Sequence, residues 1–302
     1  MKKTISVLIL LAMILTFTVS CRNSCADKKD QNNYSHNGVS EKRIFSGSAG
    51  FGESGENHSG LVSTSSIGLF TSVEDKVFNE LNGKTRKFSG FNGEFVYQKS
   101  ECTLKGNKSG EYGSFYSIHD VYKNDSHELI HVLHGTDIIT FYSNLAGQMG
   151  ESVELGEDDR KQIAENFLLD IISEDKFNEF TLVQNSHTNV GLHHIKYLKY
   201  IKGYASNESL SIFLYESGEI MGYNGTDLGK YDSLESKITK KALDEARDAL
   251  NEKLSSMKLE NLKTYDPCII TNTEGKVFLQ MNYEYTDLKG NVSGETIVTN
   301  VF

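Results

Sequence analysis

The apolar residues of this chain alternate between helical and strand spacing, and this alternation restricts the possible folds more than any other feature of the sequence. Apolar stripes of helical period predict one helix over 159–172 and another over about 239–254. Segments of strand character follow each helix, at about 192–201, 210–215 and 220–223 after the first and at 269–270, 277–285 and 296–302 after the second. The sequence therefore predicts that one order of elements occurs twice.

The region before these helices also mixes the two periods. Ser72 and Asp75 form a helix-start pattern and Gly83 a stop, so a short helix is predicted between them. Short β-rich segments separated by turn residues follow, at 95–97, 115–122, 129–133 and 138–142. Turns at this spacing are typical of an antiparallel meander.

These patterns together predict an α+β fold of tandem modules, in which each helix lies on its own antiparallel sheet. The predicted boundaries place an N-terminal α+β module rich in antiparallel strands at 67–155, a second module at 156–232 and a third at 233–302.

Residues 1–20 have the pattern of a bacterial lipoprotein signal peptide. Lys2 and Lys3 precede a short apolar run, and Ser20 stands directly before Cys21. The apolar run is shorter than the ~20 residues that span a bilayer comfortably. We therefore expect cleavage before Cys21 and lipidation of its thiol, which anchors the protein at the extracytoplasmic face of the cell membrane.

Residues 21–66 are predicted to be a flexible tether, because Ser, Asn, Gly and charged residues dominate and bury too little apolar surface to fold. The chain has a formal net charge of −10, and loss of Lys2 and Lys3 with the signal peptide makes it two units more negative. An acidic chain without basic clusters argues against a nucleic acid partner.

The second module contains Gln-Ile-Ala-Glu-Asn-Phe-Leu at 162–168, Tyr-Leu-Lys-Tyr-Ile-Lys-Gly-Tyr at 197–204 and a strand pair at 211–223, and a helix opening follows at 238–246. These segments resemble PepSY-like repeats of the YcdB/YcdC type, with the helix opening as the start of a following repeat. The resemblance implies a cystatin-like helix-on-sheet fold and a role in binding or restraining peptidases and other envelope proteins. It implies no catalytic residues.

One motif points to a different function. His127, Glu128 and His131 match the zinc-peptidase pattern H-E-x-x-H, in which two histidines on one helical face bind Zn²⁺ and the glutamate activates a water molecule. The neighbouring segments have strand character, however, and on a strand Glu128 would point away from both histidines. Metal binding without catalysis, through these histidines with His134 or through His193 and His194, is a further alternative.

Two sets of residues leave alternatives open. Cys102 and Cys268 either form a disulfide, which export permits, or remain as thiols that pack like small apolar side chains. A series of tyrosines either packs against the predicted helix or forms a partner-binding surface: Tyr197, Tyr200, Tyr204, Tyr215 and Tyr223.

The sequence thus predicts a non-catalytic, lipid-anchored binding or regulatory protein. Its expected partners are the membrane, through the lipid on Cys21, and an unidentified envelope or secreted protein. No cofactor is expected. The alternative is a zinc metallopeptidase that uses His127, Glu128 and His131.

Overall fold

The computed structural model describes residues 70–76, 78–105, 112, 115–144, 155–187 and 192–302. The predicted signal peptide, Cys21 and the predicted tether lie outside these residues.

Fourteen β-strands form among the described residues, and all belong to one sheet. They are β1 (Phe70–Lys76), β2 (Thr85–Arg86), β3 (Phe95–Lys105), β4 (Phe115–Lys123), β5 (Leu129–Leu133), β6 (Ile139–Ser143), β7 (Phe180–His187), β8 (Leu192–Ile201), β9 (Tyr204–Tyr215), β10 (Ile220–Thr226), β11 (Glu260–Thr264), β12 (Cys268–Thr271), β13 (Val277–Thr286) and β14 (Val292–Asn300).

The described part of the chain also contains α1 (Glu157–Ile171), α2 (Glu174–Phe177), α3 (Lys240–Ser256) and a one-turn 3₁₀ helix, Asn79–Leu81. The bounds of α1 and α3 agree with the predicted helices within two residues, because both carry a clear apolar stripe. Within the described ranges, no helix is both long enough and apolar enough to cross a membrane.

The main path through the sheet is β1-β3-β4-β5-β6-β10-β9-β12-β13-β11. Strand β2 pairs with β3, β14 pairs with β13, and β8 lies between β9 and β7. Every pairing is antiparallel except that of β9 with β12, so the sheet is mixed.

The prediction of an α+β fold of tandem PepSY-like or cystatin-like modules is wrong. Strand β6, which the sequence places in the first module, pairs with β10 of the second, and β9 of the second pairs with β12 of the third. The strands therefore form one continuous mixed sheet instead of separate helix-covered sheets. The physical reason is that separate sheets would end in unpaired backbone N–H and C=O groups, which these pairings satisfy.

The prediction of a helix between Ser72 and Gly83 is also wrong. Residues of this segment form β1, which pairs antiparallel with β3 from Phe70 opposite Lys105 to Lys76 opposite Ser100. Backbone pairing with a long neighbouring strand outweighs the local helix-start pattern, which is a weak determinant by itself.

Two apolar cores support the two helices. Helix α1 buries Ala164 and Leu168 in a core with side chains from the sheet around Ile130 and Ile212. Helix α3 packs in a second core with side chains from β13 and contributes four buried residues: Leu243, Ala246, Leu250 and Leu254. Each buried leucine stabilises the fold by about 1.5–3 kcal/mol.

Strand β9 joins the two cores. Its residues Ser209–Leu214 pair with β10, whereas Ala205 and Ser206 near its start pair in parallel with Cys268 and Ile269 of β12. The fully buried Tyr231 strengthens this junction, because its hydroxyl donates a hydrogen bond to the Ile269 carbonyl at 2.9 Å.

A second connection links the β3–β4 hairpin to the turn between β12 and β13. The Tyr116 backbone N–H donates to Thr273 Oγ1 at 2.9 Å, and the Asn272 side chain donates to the Tyr112 carbonyl at 2.9 Å. The Tyr112 ring packs edge-on against Phe278 with 5.5 Å between centroids. Residues about 160 positions apart are therefore held in contact.

A buried network of charges lies beneath the segment that follows β10. The almost fully buried Lys199 ammonium bonds to Glu179 Oε2 at 2.8 Å and to Glu235 Oε2 at 3.1 Å. Burial lowers the pKa of Lys199, but its bonds to Glu179 and Glu235 raise it more, so the net shift is upward. Lys199 therefore stays charged inside the protein.

Glu208 completes this network and is fully buried. Its Oε1 accepts from the Gly229 N–H at 2.7 Å and lies 3.1 Å from the Lys176 ammonium. Burial raises the pKa of Glu208 despite these favourable partners. Because a buried charge that loses its partner is costly, the two lysines determine whether this region is stable.

We expect Lys199→Met to lower the free energy of unfolding by about 1–3 kcal/mol, because it removes a charge-assisted bond to each of Glu179 and Glu235 and the cation 3.9 Å from the fully buried Glu208 Oε2. Urea unfolding of the purified protein measures this loss. The matched control is Lys241→Met, which removes an exposed lysine 3.7 Å from Glu245. This control should cost less than about 1 kcal/mol. Equal losses in the two variants would contradict the importance of the buried network.

Candidate functional site

The H-E-x-x-H segment forms a turn and a strand. His127 is exposed in the turn between β4 and β5, with a positive φ of 66°. Asn124 organises this turn: its Oδ1 accepts from the Glu128 N–H at 2.9 Å, and its backbone carbonyl accepts from the His127 N–H at 3.1 Å. Positive φ is tolerated best by Gly and Asn, so His127 adopts its conformation because the turn requires it.

The Glu128 carboxylate is held by internal hydrogen bonds. Its Oε1 accepts from the Tyr142 hydroxyl at 2.6 Å, and its Oε2 accepts from the Asn124 side chain. Burial raises the pKa of the Tyr142 hydroxyl, and Glu128 raises it further. Both carboxylate oxygens therefore take part in holding the β4–β5 turn against β6.

His131 lies on β5 and packs against Phe141 of β6, with 4.7 Å between ring centroids. Its register partner on β4 is Val121. Desolvation lowers the pKa of His131 to about 4, and the nearby Glu101 opposes this shift only in part. His131 is therefore a neutral side chain within the sheet at physiological pH.

These positions do not form the geometry of a zinc peptidase. The pattern requires a helix that presents both histidines and the glutamate on one side, whereas here His127 lies in a turn and His131 on a strand. His134 instead bonds to Asp120 at 2.9 Å. Among the described residues, no group of three or more His, Cys, Asp or Glu side chains is arranged to hold a metal ion.

Variants of His131 and His127 give a matched test of the assignment of His131 as a desolvated, neutral side chain within the sheet. Since the folded-state pKa of His131 lies below 6.5, its contribution to stability is complete above pH 6.5 and declines as the pH falls toward about 4. We expect His131→Leu to remove about 3 kcal/mol of the stability difference between pH 7.5 and pH 4.5. Urea unfolding at both pH values measures it.

The control is His127→Asn, which keeps a residue suited to positive φ and should leave that difference unchanged. If His131→Leu showed the wild-type pH dependence, the assignment of His131 as a desolvated histidine would be incorrect. If the wild-type protein held stoichiometric zinc and both variants lost it equally, that result would instead support the metal site.

Ser100, Asp120 and His134 form a trio that sequence reasoning did not identify. Ser100 Oγ donates to Asp120 Oδ1 at 2.5 Å, and His134 Nδ1 lies 2.9 Å from the same oxygen. The residue types are those of a serine hydrolase, but the aspartate stands between the serine and the histidine. The histidine therefore cannot take the serine proton, and the trio acts as a buried polar link.

The histidine pair on β8 is divided between the two faces of the sheet. His194 stacks on Phe213 with 4.5 Å between centroids, whereas His193 lies beside His187 at 4.7 Å. Burial lowers the pKa of His194 to about 4. The pair therefore does not share one ligand, as alternation along a strand predicts.

The two cysteines of the folded part are both free thiols. Cys102 is partly buried and Cys268 is buried. Burial raises the pKa of Cys268 to about 12, so its reactive thiolate form is strongly disfavoured.

A cleft opens where the β8–β9 hairpin meets α3 and the start of β12. Its volume is about 370 Å³, within the range of ligand clefts, and it is lined by Tyr200, Gly203, Tyr204, Ala205, Lys240, Arg247, Asp266 and Pro267. Of the five tyrosines singled out in the sequence, Tyr200 alone is exposed, at 40%, while the other four are buried. The cleft therefore presents one open aromatic ring.

The far end of the second core exposes apolar side chains. Leu288, in the turn between β13 and β14, is fully exposed, and Val292 at the start of β14 is 76% exposed. Leu262 of β11 lies at the same end, since Glu260 and Val292 both pair with Thr286. We call Leu262, Leu288 and Val292 the distal tip.

Comparisons of this chain with protein-family models, with curated proteins and with solved structures found no match. The resemblance to PepSY-like repeats therefore stays a prediction.

Proposed function

We propose that this protein is a non-catalytic binding protein that is lipid-anchored through Cys21 at the extracytoplasmic face of the cell membrane and acts on an envelope or secreted protein. The observation that carries the proposal is the distal tip. The reactive side chains considered above, Glu128, Asp120 and His134, are occupied by internal bonds, whereas the distal tip leaves apolar side chains open to a partner.

The turn that presents Leu288 is rigidly built. Asp287 Oδ1 accepts from the Lys289 N–H at 2.8 Å and from the Asn291 N–H at 2.9 Å, and the Asp287 N–H donates to the Asn291 carbonyl at 2.8 Å. Gly290 supplies the positive φ of 80° that the turn requires. Because the backbone of the turn is already fixed, it loses little conformational freedom on binding, which favours affinity.

The strands beside the turn add to this surface. All residues of β11 are exposed, and β14 bonds only to β13 within the described part of the sheet. An edge strand offers unpaired backbone groups to another chain. Exposed apolar side chains next to such an edge are typical of protein–protein contact sites.

Site-specific photo-crosslinking on intact cells tests the distal tip. With a crosslinker at Val292, we expect one dominant protein adduct. The added change Leu288→Asp should reduce it about tenfold, because it removes an apolar side chain that the partner would cover. The control crosslinker replaces Leu169, which is 45% exposed on α1. Equal adducts at both positions, or an adduct unaffected by Leu288→Asp, would contradict the proposed surface.

The anchor is tested separately at the N-terminus. We expect Cys21→Ser to abolish acylation and the cleavage that depends on it, because only a cysteine supplies the thiol that is alkylated. Cys25→Ser should change neither, since Arg22 precedes it in place of an apolar approach. Intact mass and detergent partitioning measure both. An acylated Cys21→Ser protein would disprove the assignment of Cys21.

A further inference from the structure

The cleft beside α3 has a fixed frame. Lys202 and Gly203 both have positive φ, of 53° and 88°, which gives the tight turn of the β8–β9 hairpin. The hairpin register sets Tyr200 opposite Ala205, and Ala205 in turn pairs with Cys268 directly after Pro267. The cleft is therefore held by backbone pairing on two sides.

The two cations that line the cleft already have partners. The Lys240 ammonium lies 3.3 Å from Asp244, and Arg247 lies 3.1 Å from Asp248. Lys240 also lies over the Tyr204 ring at 5.6 Å, and the Tyr204 hydroxyl donates to Asp244 at 2.6 Å. This side of the cleft is consequently neutralised by α3 itself.

The opposite side of the cleft is different. Asp266 is exposed and makes no ion pair within the part of the chain that the structure describes. It lies close enough to Tyr200 that its charge adds to the effect of burial in raising the pKa of the tyrosine hydroxyl. An unpaired carboxylate next to an open aromatic ring is suited to a cation, since the ring face also attracts positive charge.

We propose that this cleft binds a lysine or arginine side chain of the protein partner, with the cationic group at Asp266 and the aliphatic stem on the Tyr200 ring. This inference rests on the proposed binding function and names the chemistry of one contact. The net charge of −10 favours it, because an acidic protein attracts basic segments over long range. A carboxylate-bearing segment would instead have to displace Asp244 and Asp248 from Lys240 and Arg247.

Two short peptides probe the cleft: acetyl-Gly-Ser-Arg-Ser-Gly-amide and its counterpart with Glu in place of Arg. In NMR titrations of the full chain, we expect the arginine peptide to give saturable shifts at the backbone amides of 200–205, Asp266 and Cys268. The glutamate peptide should give none. Raising the salt concentration should weaken binding, since the contact is exposed to solvent.

Three variants locate the contact. Asp266→Asn and Tyr200→Leu should each weaken binding of the arginine peptide about three- to fivefold, which corresponds to an exposed ion pair and an exposed cation–π contact. Glu252→Gln removes an exposed carboxylate from the outer side of α3 and should have no effect. Because all three side chains are exposed, the variants should fold as the wild type does, and circular dichroism checks this.

The outcomes separate this inference from the proposed function. Equal binding of the glutamate peptide, or an equal loss in Glu252→Gln, would overturn the assignment of the cleft, as would the absence of saturable shifts. If the crosslinked adduct at position 292 still formed in those cases, the binding function would stand and the cleft assignment alone would fail. If the crosslinked adduct at position 292 did not form while the arginine peptide still bound, the assignment of the distal tip as the partner-binding surface would fail instead.

Discussion

The pairing of β9 with three different strands is the constraint on which the rest of the structure depends. One edge of β9 pairs with β8, while the other pairs with β10 along its second half and with Ala205 and Ser206 against β12 near its start. Two short parallel pairs thus connect the core around α1 with the core around α3. The cleft beside Tyr200 lies near the point where the partner of β9 changes from β10 to β12.

Several local elements could be predicted from the sequence, but the segment of β1 was predicted to be a helix, and β7 and β11 were not predicted. The assembly of the elements could not be predicted. The helices α1 and α3 carry apolar stripes that few other structures would produce, so their bounds were predictable. The continuity of the sheet depends on Ala205 meeting Cys268, and nothing in the local pattern of either residue specifies that partner. The order of elements suggested repeated, separate modules. That order carries no information on which strand edges pair, so it could not show that the strands form one sheet.

The candidate functional site was also predictable only in its local features, and not in the contacts that depend on strand pairing. The strand character on both sides of His127 and His131 correctly argued against a zinc-binding helix, because alternation is a local property. The link among Ser100, Asp120 and His134 arises from register across two hairpins, and the meeting of Tyr200 with Asp266 arises from the junction. Contacts of this kind become visible only once the pairing of distant strands is known.

The connection between the β3–β4 hairpin and the β12–β13 turn has a consequence for the order of events during synthesis. Tyr116 and Thr273 are 157 residues apart, so this contact cannot form until nearly the whole chain has been made. Contacts of such separation slow folding, because a large loop must close before the contact is gained. The fold of this chain can therefore be completed only after its last strands have been made.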